Sequence, residues 1–489
     1  MIWDGKKSGR FPPGPFAWPV IGHLHLLTSM SHRILWSSSQ KYGPIVGLRL
    51  GQQLAVAISS SDLAKEVLHT HEKIFASRPP FQFNELLLCG QNSDIILSAQ
   101  CPLWRKQKTI CTVGLFTVKR LHELEYVRQE ELAGLLQRLQ TESASATRAA
   151  RAVDIGHSVD EMTSRVIMRL LQSDGSMHAG AENLQQLVKE LDREVSVPTM
   201  RDLIPTLSCL DFLRKRRMRR LHARIQAAFA AVLARRKESM MNSAHQYDDL
   251  LQSLLSKEVQ ADIDGTSSAA QETLTADEIT CILLDMIAGG IHTTTLTLEW
   301  AMAELLKNPH CLEKLRSEID DAVFDSSGER RIKNTISDAD VAKLSYLKCV
   351  VKEVARLHPV LPMLVPRIST AECKIKGNSV PARTMVFVQD KGAEESGDPK
   401  LGEDSGGEDG VKANRRRWLA NGCYKGGPLW EAMSLHEMAM VQQAGTKRGH
   451  ESRQTGKAPR VWLCSAQDTR KGALQGVGAV GIQYSVLGS

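Results

Sequence analysis

Residues 275–309 read TADEITCILLDMIAGGIHTTTLTLEWAMAELLKNP and contain the clearest helical signal of the chain. Thr275 and Glu278 have the spacing of a capping box, in which each side chain bonds the backbone N–H of the other residue. Pro309 cannot continue a helix because it has no N–H group. The segment therefore predicts a helix over about residues 276–307, roughly 48 Å long at about 1.5 Å per residue.

The middle of this helix, residues 286–298, contains no Asp, Glu, Lys or Arg. A helix that is apolar all round needs neighbours on every side. The chain supplies them, with a helical pattern from about residue 118 to 240 and a small, turn-rich β region over residues 360–389. A length of 489 residues alone suggests about three domains. The buried helix instead favours one mainly α domain with a small β region over residues 1–389.

The patterning also predicts local elements outside the long helix. Residues 256–275 are polar and without period, which favours a surface loop. The other predicted elements are helices at Ser31–Tyr42, Ser61–His71, Cys311–Val323 and Asp338–Leu357, and a hairpin of Val46–Leu50 with Leu54–Ile58.

Composition excludes several classes of protein. The chain has 42% hydrophobic and 24% charged residues, which is ordinary for a globular protein and excludes wholesale disorder. Ten cysteines are too few for a disulfide scaffold of this length. The segment Pro12-Pro13-Gly14-Pro15 favours a stiff, extended lead-in without a preceding secretory signal.

Glycine divides the chain, because 17 of its 35 glycines lie in residues 390–489. Helical and strand patterning fails at the same place. We therefore expect a poorly ordered, aberrant tail after Gln389, arising from a reading-frame shift, a retained intron or a decayed gene.

Three clusters carry candidate chemistry. Gly289-Gly290, followed by His292, Thr293 and Thr294, indicates either a helix against a flat cofactor or substrate, or tight helix packing through small residues. Glu353 and Arg356 share a helical face and form either a surface ion pair or a buried structural one. Residues 104–108, WRKQK, are either an exposed helix start or cations for a buried anionic group.

The sequence resembles the cytochrome P450 family, in particular its plant-type microsomal branch. The resemblance covers about residues 11–389 and rests on five segments in the family's order: Pro12-Pro13-Gly14-Pro15, Trp104 to Lys108, Gly289 to Thr294, Glu353-x-x-Arg356 with Leu357-His358-Pro359, and Val365-Pro366-Arg367.

The resemblance implies haem b, electrons from an NADPH-dependent flavoprotein reductase, and insertion of one oxygen atom into a small lipophilic substrate. It implies a role in proton delivery for Thr293, with His292 and Thr294 beside it. It also implies a structural pair of Glu353 and Arg356, with Arg417 as the third partner. The residues that it implies for cofactor binding are Trp104, Arg105, Lys108, Gly289, Gly290 and Arg367.

The sequence departs from the family at three positions. His292 stands where the family has an acid, and Lys108 where it has an arginine. The family's iron-ligating loop, F-x-x-G-x-R-x-C-x-G, is not recognisable. Its candidate cysteine is Cys423, but Asn421 and Lys425 replace the arginine and a glycine. We therefore expect impaired iron ligation.

Two other classes of function are weighed against a monooxygenase. One is a non-catalytic remnant that binds apolar ligands. The other is a nucleic-acid binder built on residues 214–220, which carry six cations in seven residues. That cluster is more typical of a solvated helix face or of contact with an anionic membrane surface, so we expect no nucleic acid. The family implies the endoplasmic reticulum membrane surface, or the cytoplasm if its N-terminal anchor is missing.

Overall fold

The structure, a computed structural model, describes residues 11–26, 31–88, 94–148, 153–173, 181–242, 249–264, 274–323 and 336–389. Within these ranges the fold is mainly α with a small β region, as the sequence predicts. The helices are α1 (Ser31–Tyr42), α2 (Ser61–Lys65), α3 (Glu72–Phe75), α4 (Gln82–Leu87), α5 (Pro102–Gly114), α6 (Val118–Glu123), α7 (Glu125–Arg148), α8 (Ile155–Leu171), α9 (Ala181–Val195), α10 (Met200–Leu203), α11 (Phe212–Asn242), α12 (Leu250–Asp264), α13 (Ala276–Lys307), α14 (Pro309–Val323), α15 (Asp338–Val341) and α16 (Ser345–Leu357). The strands are β1 (Ile45–Leu50), β2 (Gln53–Ile58), β3 (Arg367–Ile368), β4 (Cys373–Ile375), β5 (Asn378–Val380) and β6 (Met385–Val388).

Helix α13 forms the core of the helical layer, with α8, α9, α11, α14 and α16 packed around it. Its capping box is present: Glu278 N donates to Thr275 Oγ1 at 3.2 Å, and Thr275 N donates to Glu278 Oε2 at 2.9 Å. Among the described helices, α13 alone is long and apolar enough to cross a membrane, but 78% of its apolar window is buried inside the protein. This is the arrangement of a core helix.

The sheet joins the two ends of the described chain. Strands β1 and β2 form the predicted hairpin, β6 adds to β2 in parallel, and β3 adds to β6 in antiparallel. The proline segment packs on this sheet through its backbone, with Gly47 N donating to Pro13 O at 2.8 Å. A Cβ at Gly14 would lie 1.9 Å from Gly47 O, so this approach requires glycine.

The helix predicted over residues 61–71 begins at Ser61 as predicted, but it does not continue as one α-helix. Its N-cap is Ser60, whose side chain accepts from Leu63 N, and α2 ends at Lys65. A π-helical turn then covers Glu66–Thr70 before α3 begins. The wider turn inserts one extra residue per hydrogen-bonded ring, which local propensity does not report.

The single helix predicted over residues 338–357 is wrong, because it is divided into α15 and α16. The second helix begins where Tyr346 N and Leu347 N donate to the Glu318 carboxylate at 2.7 and 2.9 Å. This carboxylate belongs to α14, so a side chain distant in sequence satisfies the free N–H groups of a new helix start.

Two more boundaries differ from the prediction. The loop predicted over 256–275 is helical up to Asp264, because α12 continues from its buried leucines. Lys237 Nζ lies 2.9 Å from Glu258 Oε1 and ties this helix to α11. Helix α14 begins at Pro309, two residues before the predicted start, since proline is favoured in a first helical turn.

Candidate functional site

The two adjacent glycines of α13 face different surroundings. A Cβ on Gly290 would lie 2.6 Å from Ile167 Cδ1 of α8, so Gly290 permits close helix packing. A Cβ on Gly289 would meet only Ile96 Cδ1, at 3.8 Å, which is ordinary contact. Gly290 therefore fits the packing interpretation, whereas the cofactor interpretation of Gly289 stays a prediction. We call the less crowded side of α13 at Gly289 the open face.

Thr293 lies on that open face, because residues four apart share one side of a helix. Its Oγ1 donates to Gly289 O at 2.7 Å, whereas Thr294 Oγ1 donates to Gly290 O at 3.0 Å on the packed side. Back-bonding of this kind leaves the hydroxyl oxygen as an acceptor for another group. Of the two predicted threonines, Thr293 is the one positioned beside the open face.

His292 contacts carboxylates of the neighbouring helices. Its Nε2 lies 2.9 Å from Asp192 Oδ2 of α9, and its Nδ1 lies 3.9 Å from Asp160 Oδ1 of α8. Burial by itself lowers the pKa of His292, but the contact with Asp192 and the negative charges outweigh it and raise the pKa above 6.5. The imidazole is therefore biased toward its protonated form.

Cys101 caps the N-terminus of α5, and its sulfur accepts from Trp104 N at 3.3 Å. The Trp104 indole Nε1 donates to Ile95 O at 2.9 Å. Lys108 Nζ lies 4.7 Å from the centre of the Trp104 ring in a cation–π contact. Arg105 and Lys108 are both exposed, whereas Trp104 is half-buried between helix and loop.

Two arginines converge beside the sheet. Arg367 Nη1 donates to Phe75 O at 3.1 Å, and Arg78 Nη1 donates to Val365 O at 2.8 Å. Burial and the nearby charge of Arg367 lower the pKa of Arg78 to about 9, while Asp94 acts in the opposite direction. Two neighbouring cations of this kind could hold an anionic cofactor group. The sequence reasoning missed Arg78, because Arg78-Pro79 after a short helix has no distinguishing signal.

A buried pair of carboxylates, Asp285 of α13 and Asp94, lies near these arginines. Asp285 Oδ2 accepts from Ile95 N at 2.6 Å, and Asp94 Oδ1 accepts from Ser98 Oγ at 2.6 Å. Burial first, and then the charge of Asp94, raises the pKa of Asp285. The sequence reasoning missed this pair too. Its signal was Asp285 itself, the one acidic residue between Glu278 and Glu299.

Glu353 and Arg356 of α16 form a bidentate pair. Arg356 Nε donates to Glu353 Oε2 at 2.8 Å, and its Nη2 donates to Glu353 Oε1 at 2.6 Å. The Glu353 side chain is only 7% exposed, so the pair is not a solvated surface bridge. The predicted third partner, Arg417, and the candidate ligand Cys423 lie outside the described residues.

Within the described ranges, His122, Glu125 and Asp338 bring possible metal-ligand atoms within 4.8 Å of one another. Their contacts are already internal. Asp338 pairs with the buried Arg128 guanidinium, and Asp338 N donates to Glu125 Oε1 at 2.8 Å. These three residues therefore attach α15 to α6 and α7, and their contacts are explained without a metal ion.

Known proteins resemble the chain over most of its length. The Cytochrome P450 family profile matches residues 12–392. Cytochrome P450 750A1 of Pinus taeda is 33% identical, over 79% of this chain and 73% of its own. The 5-epiaristolochene 1,3-dihydroxylase of Nicotiana tabacum is 32% identical, over 79% and 74% of the two chains. The flavonoid 3'-monooxygenase of Petunia hybrida is 33% identical, over 77% and 71%.

A solved structure of zebra fish cytochrome P450 with abiraterone has the same fold, with a TM-score of 0.63. It is 23% identical and covers 84% of this chain and 90% of its own.

Proposed function

Because the chain belongs to the cytochrome P450 family, we propose that its described body is that of a plant-type haem-dependent monooxygenase for a small lipophilic substrate. The observation that carries the proposal is the open face of α13 at Gly289, with the Thr293 hydroxyl beside it. The family and fold imply a haem–iron cofactor. Bound haem supplies the redox-active iron at which dioxygen is reduced.

The described residues include cations that fit the carboxylate groups at the edge of haem. Haem carries carboxylates, and Arg78 and Arg367 are neighbouring cations whose mutual repulsion an anion relieves. We assign these two arginines to the carboxylate groups. The indole N–H of Trp104 bonds Ile95 O, so Trp104 would contact the cofactor through its ring. Lys108 lies on the Trp104 ring and Arg105 is exposed, so their predicted contacts with the cofactor have less support.

Proton delivery is assigned to Thr293, with His292 as a nearby proton reservoir. The Thr293 hydroxyl keeps an acceptor oxygen on the open face while its own proton bonds Gly289 O. Although burial alone lowers the pKa of His292, the Asp192 carboxylate beside its ring raises this pKa and favours the protonated imidazole. Thr294 faces the packed side, and we assign it a structural role only. Glu353 and Arg356 are assigned a structural role in α16, which packs against α13.

The substrate class follows from the relatives. Their names include a 5-epiaristolochene 1,3-dihydroxylase, a premnaspirodiene oxygenase and a flavonoid 3'-monooxygenase. We therefore propose a lipophilic plant secondary metabolite, with electrons from an NADPH-dependent flavoprotein reductase.

Oxygen activation is proposed to be impaired in this chain. The family match ends at residue 392, near the point where patterning fails. No cysteine beyond it carries the family's loop sequence, and Cys423 lacks the flanking glycines and arginine. Those neighbours set the hydrogen bonds of the iron-bound sulfur. The same observation favours the second candidate function, a non-catalytic protein that binds apolar ligands.

A membrane-surface location is supported by two exposed apolar segments. Gly51 N donates to Ile21 O at 3.1 Å and Gln52 N donates to Leu203 O at 2.8 Å, so both segments adjoin the β1–β2 turn. Their exposed members are Phe16, Trp18, Val20, Leu207, Leu210, Phe212 and Leu213. We propose that this side rests on the endoplasmic reticulum membrane.

The arginine-rich start of α11 lies next to this apolar side. Arg214 donates to Pro198 O at 2.8 Å, and Arg217 pairs with the Glu194 carboxylate. Part of the cluster therefore forms contacts within the protein. Its remaining cations adjoin exposed apolar side chains, and this combination favours membrane contact over nucleic acid.

Haem titration of the full chain tests the proposed site. We expect saturable binding that the Arg78→Ala change weakens by about tenfold or more, as for loss of a charge-assisted hydrogen bond. Arg216→Ala, an exposed arginine of α11, is the matched control and should not change binding. Absence of haem binding would overturn the monooxygenase proposal and favour the second candidate.

A further inference from the structure

We propose that Asp285 is a positioning residue that fixes the segment Asp94–Ser98, here called the clamp loop, across α13 so that Ile96 covers Gly289. The inference rests on the proposed function only in identifying the open face as the substrate side. Its consequence is that Asp285, one turn before Gly289 on the same side of α13, sets the shape of the space in front of Thr293.

The backbone of Ile95 is held from two helices. Its N–H donates to Asp285 Oδ2 of α13 at 2.6 Å, and the nearby Ile96 N–H partly offsets the rise that burial causes in the pKa of this carboxyl. The Ile95 carbonyl accepts from Trp104 Nε1 of α5 at 2.9 Å. Both backbone polar groups of Ile95 are therefore bonded, which restricts the two peptide units on either side of this residue.

The clamp loop is also stiffened from within. Asp94 N donates to Ser98 Oγ at 3.1 Å, and Leu97 N donates to Asp94 Oδ2 at 2.9 Å. Asn84 Nδ2 of α4 donates to Leu97 O at 3.4 Å. These bonds hold the loop together, and the contact with Asp285 ties it to α13.

The attachment determines the position of Ile96. Its Cδ1 is the nearest non-neighbouring atom to the Cβ site of Gly289, at 3.8 Å, while Thr293 bonds the carbonyl of the same glycine. Release of the loop would therefore uncover the face of α13 beside the Thr293 hydroxyl. A specificity effect of Asp285 follows without contact between Asp285 and substrate.

Hydrogen exchange of peptides covering residues 94–104 in the full chain tests this assignment without requiring haem. Asp285→Ala removes the acceptor and should accelerate exchange at Ile95 and Ile96 by about tenfold or more. Asp285→Asn keeps a carbonyl acceptor and should retain most of the protection. This rescue separates positioning from a general need for a buried acid.

Two further variants serve as controls. Asp192→Ala removes another buried carboxylate that contacts α13 but not the clamp loop, so exchange at residues 94–98 should stay at the wild-type rate. Ile96→Ala should keep the slow exchange of Ile95, because the anchor is intact. Wild-type exchange in Asp285→Ala, or equal acceleration throughout the chain, would overturn the proposal. Failure of haem binding alone would leave these rates unchanged and would count only against the proposed function.

Discussion

His292 Nε2 lies 2.9 Å from Asp192 Oδ2, so α13 and α9 are joined by a buried contact between an imidazole and a carboxylate. Asp160 of α8 lies on the other side of the ring and is itself paired with Lys189 at 2.8 Å. Three helices thus meet around one titratable group. A charged contact at this depth makes their packing dependent on pH.

Stability should fall as pH rises through the folded-state pKa of His292. This pKa is raised above 6.5, so the stabilisation is complete below 6.5 and is lost through the raised value. His292→Gln should flatten the dependence of thermal unfolding on pH above about 6.5. Wild type and variant with the same pH slope there would contradict the assignment.

Gly289 and Gly290 should respond oppositely to alanine. Gly290→Ala should destabilise by about 1–3 kcal/mol, because the added methyl group meets Ile167 at 2.6 Å. Gly289→Ala should be neutral or stabilising by up to about 1 kcal/mol, since alanine is the better helix former and nothing clashes. Denaturant unfolding measures both. The double variant Gly290→Ala/Ile167→Ala should lose less unfolding free energy than the sum of the two single variants, because the smaller side chain makes room for the methyl group. A loss equal to that sum would argue against the contact.

Removing Arg356 from its pair with Glu353 should lower the free energy of unfolding more than neutralising Glu353 does. Arg356→Ala leaves the buried Glu353 carboxylate without its bidentate partner and should destabilise by about 3 kcal/mol. Glu353→Gln keeps an acceptor and removes the buried negative charge. Unfolding free energies of both variants check the order. The exposed pair Lys343–Asp340 is the control, and Lys343→Ala should cost under about 1 kcal/mol.

The apolar side should bind anionic lipid vesicles. Phe212 and Leu213 are each 65% exposed and precede the arginines of α11. Replacing both with serine should weaken sedimentation with phosphatidylserine vesicles several-fold, whereas Val113→Ser, at an exposed valine of α5, should not. Equal loss in both variants would argue against this surface.

Local signals predicted much of the fold. The capping box and Pro309 defined α13 because each acts within a few residues, and the hairpin β1–β2 was found in the same way. The start of α16 was not predicted, since its N–H groups bond Glu318 of another helix. Boundaries that depend on distant side chains leave no local pattern.

The candidate site was predicted in part for the same reason. The Gly289 and Thr293 face follows from helical spacing within one segment. Arg78 Nη1 bonds the carbonyl of Val365, 287 positions away in the sequence. Ile95 N bonds Asp285, which is 190 positions away. One signal was overlooked: a lone acid in an apolar helix needs buried partners.

The central claim is that the described body is a haem monooxygenase framework and that the tail as written does not supply its thiolate. The most direct test is the reduced, carbon-monoxide difference spectrum of the full chain loaded with haem. We predict bound haem without the Soret band of thiolate-ligated iron. A thiolate-type band that disappears in Cys423→Ala would contradict the claim and make Cys423 the iron ligand.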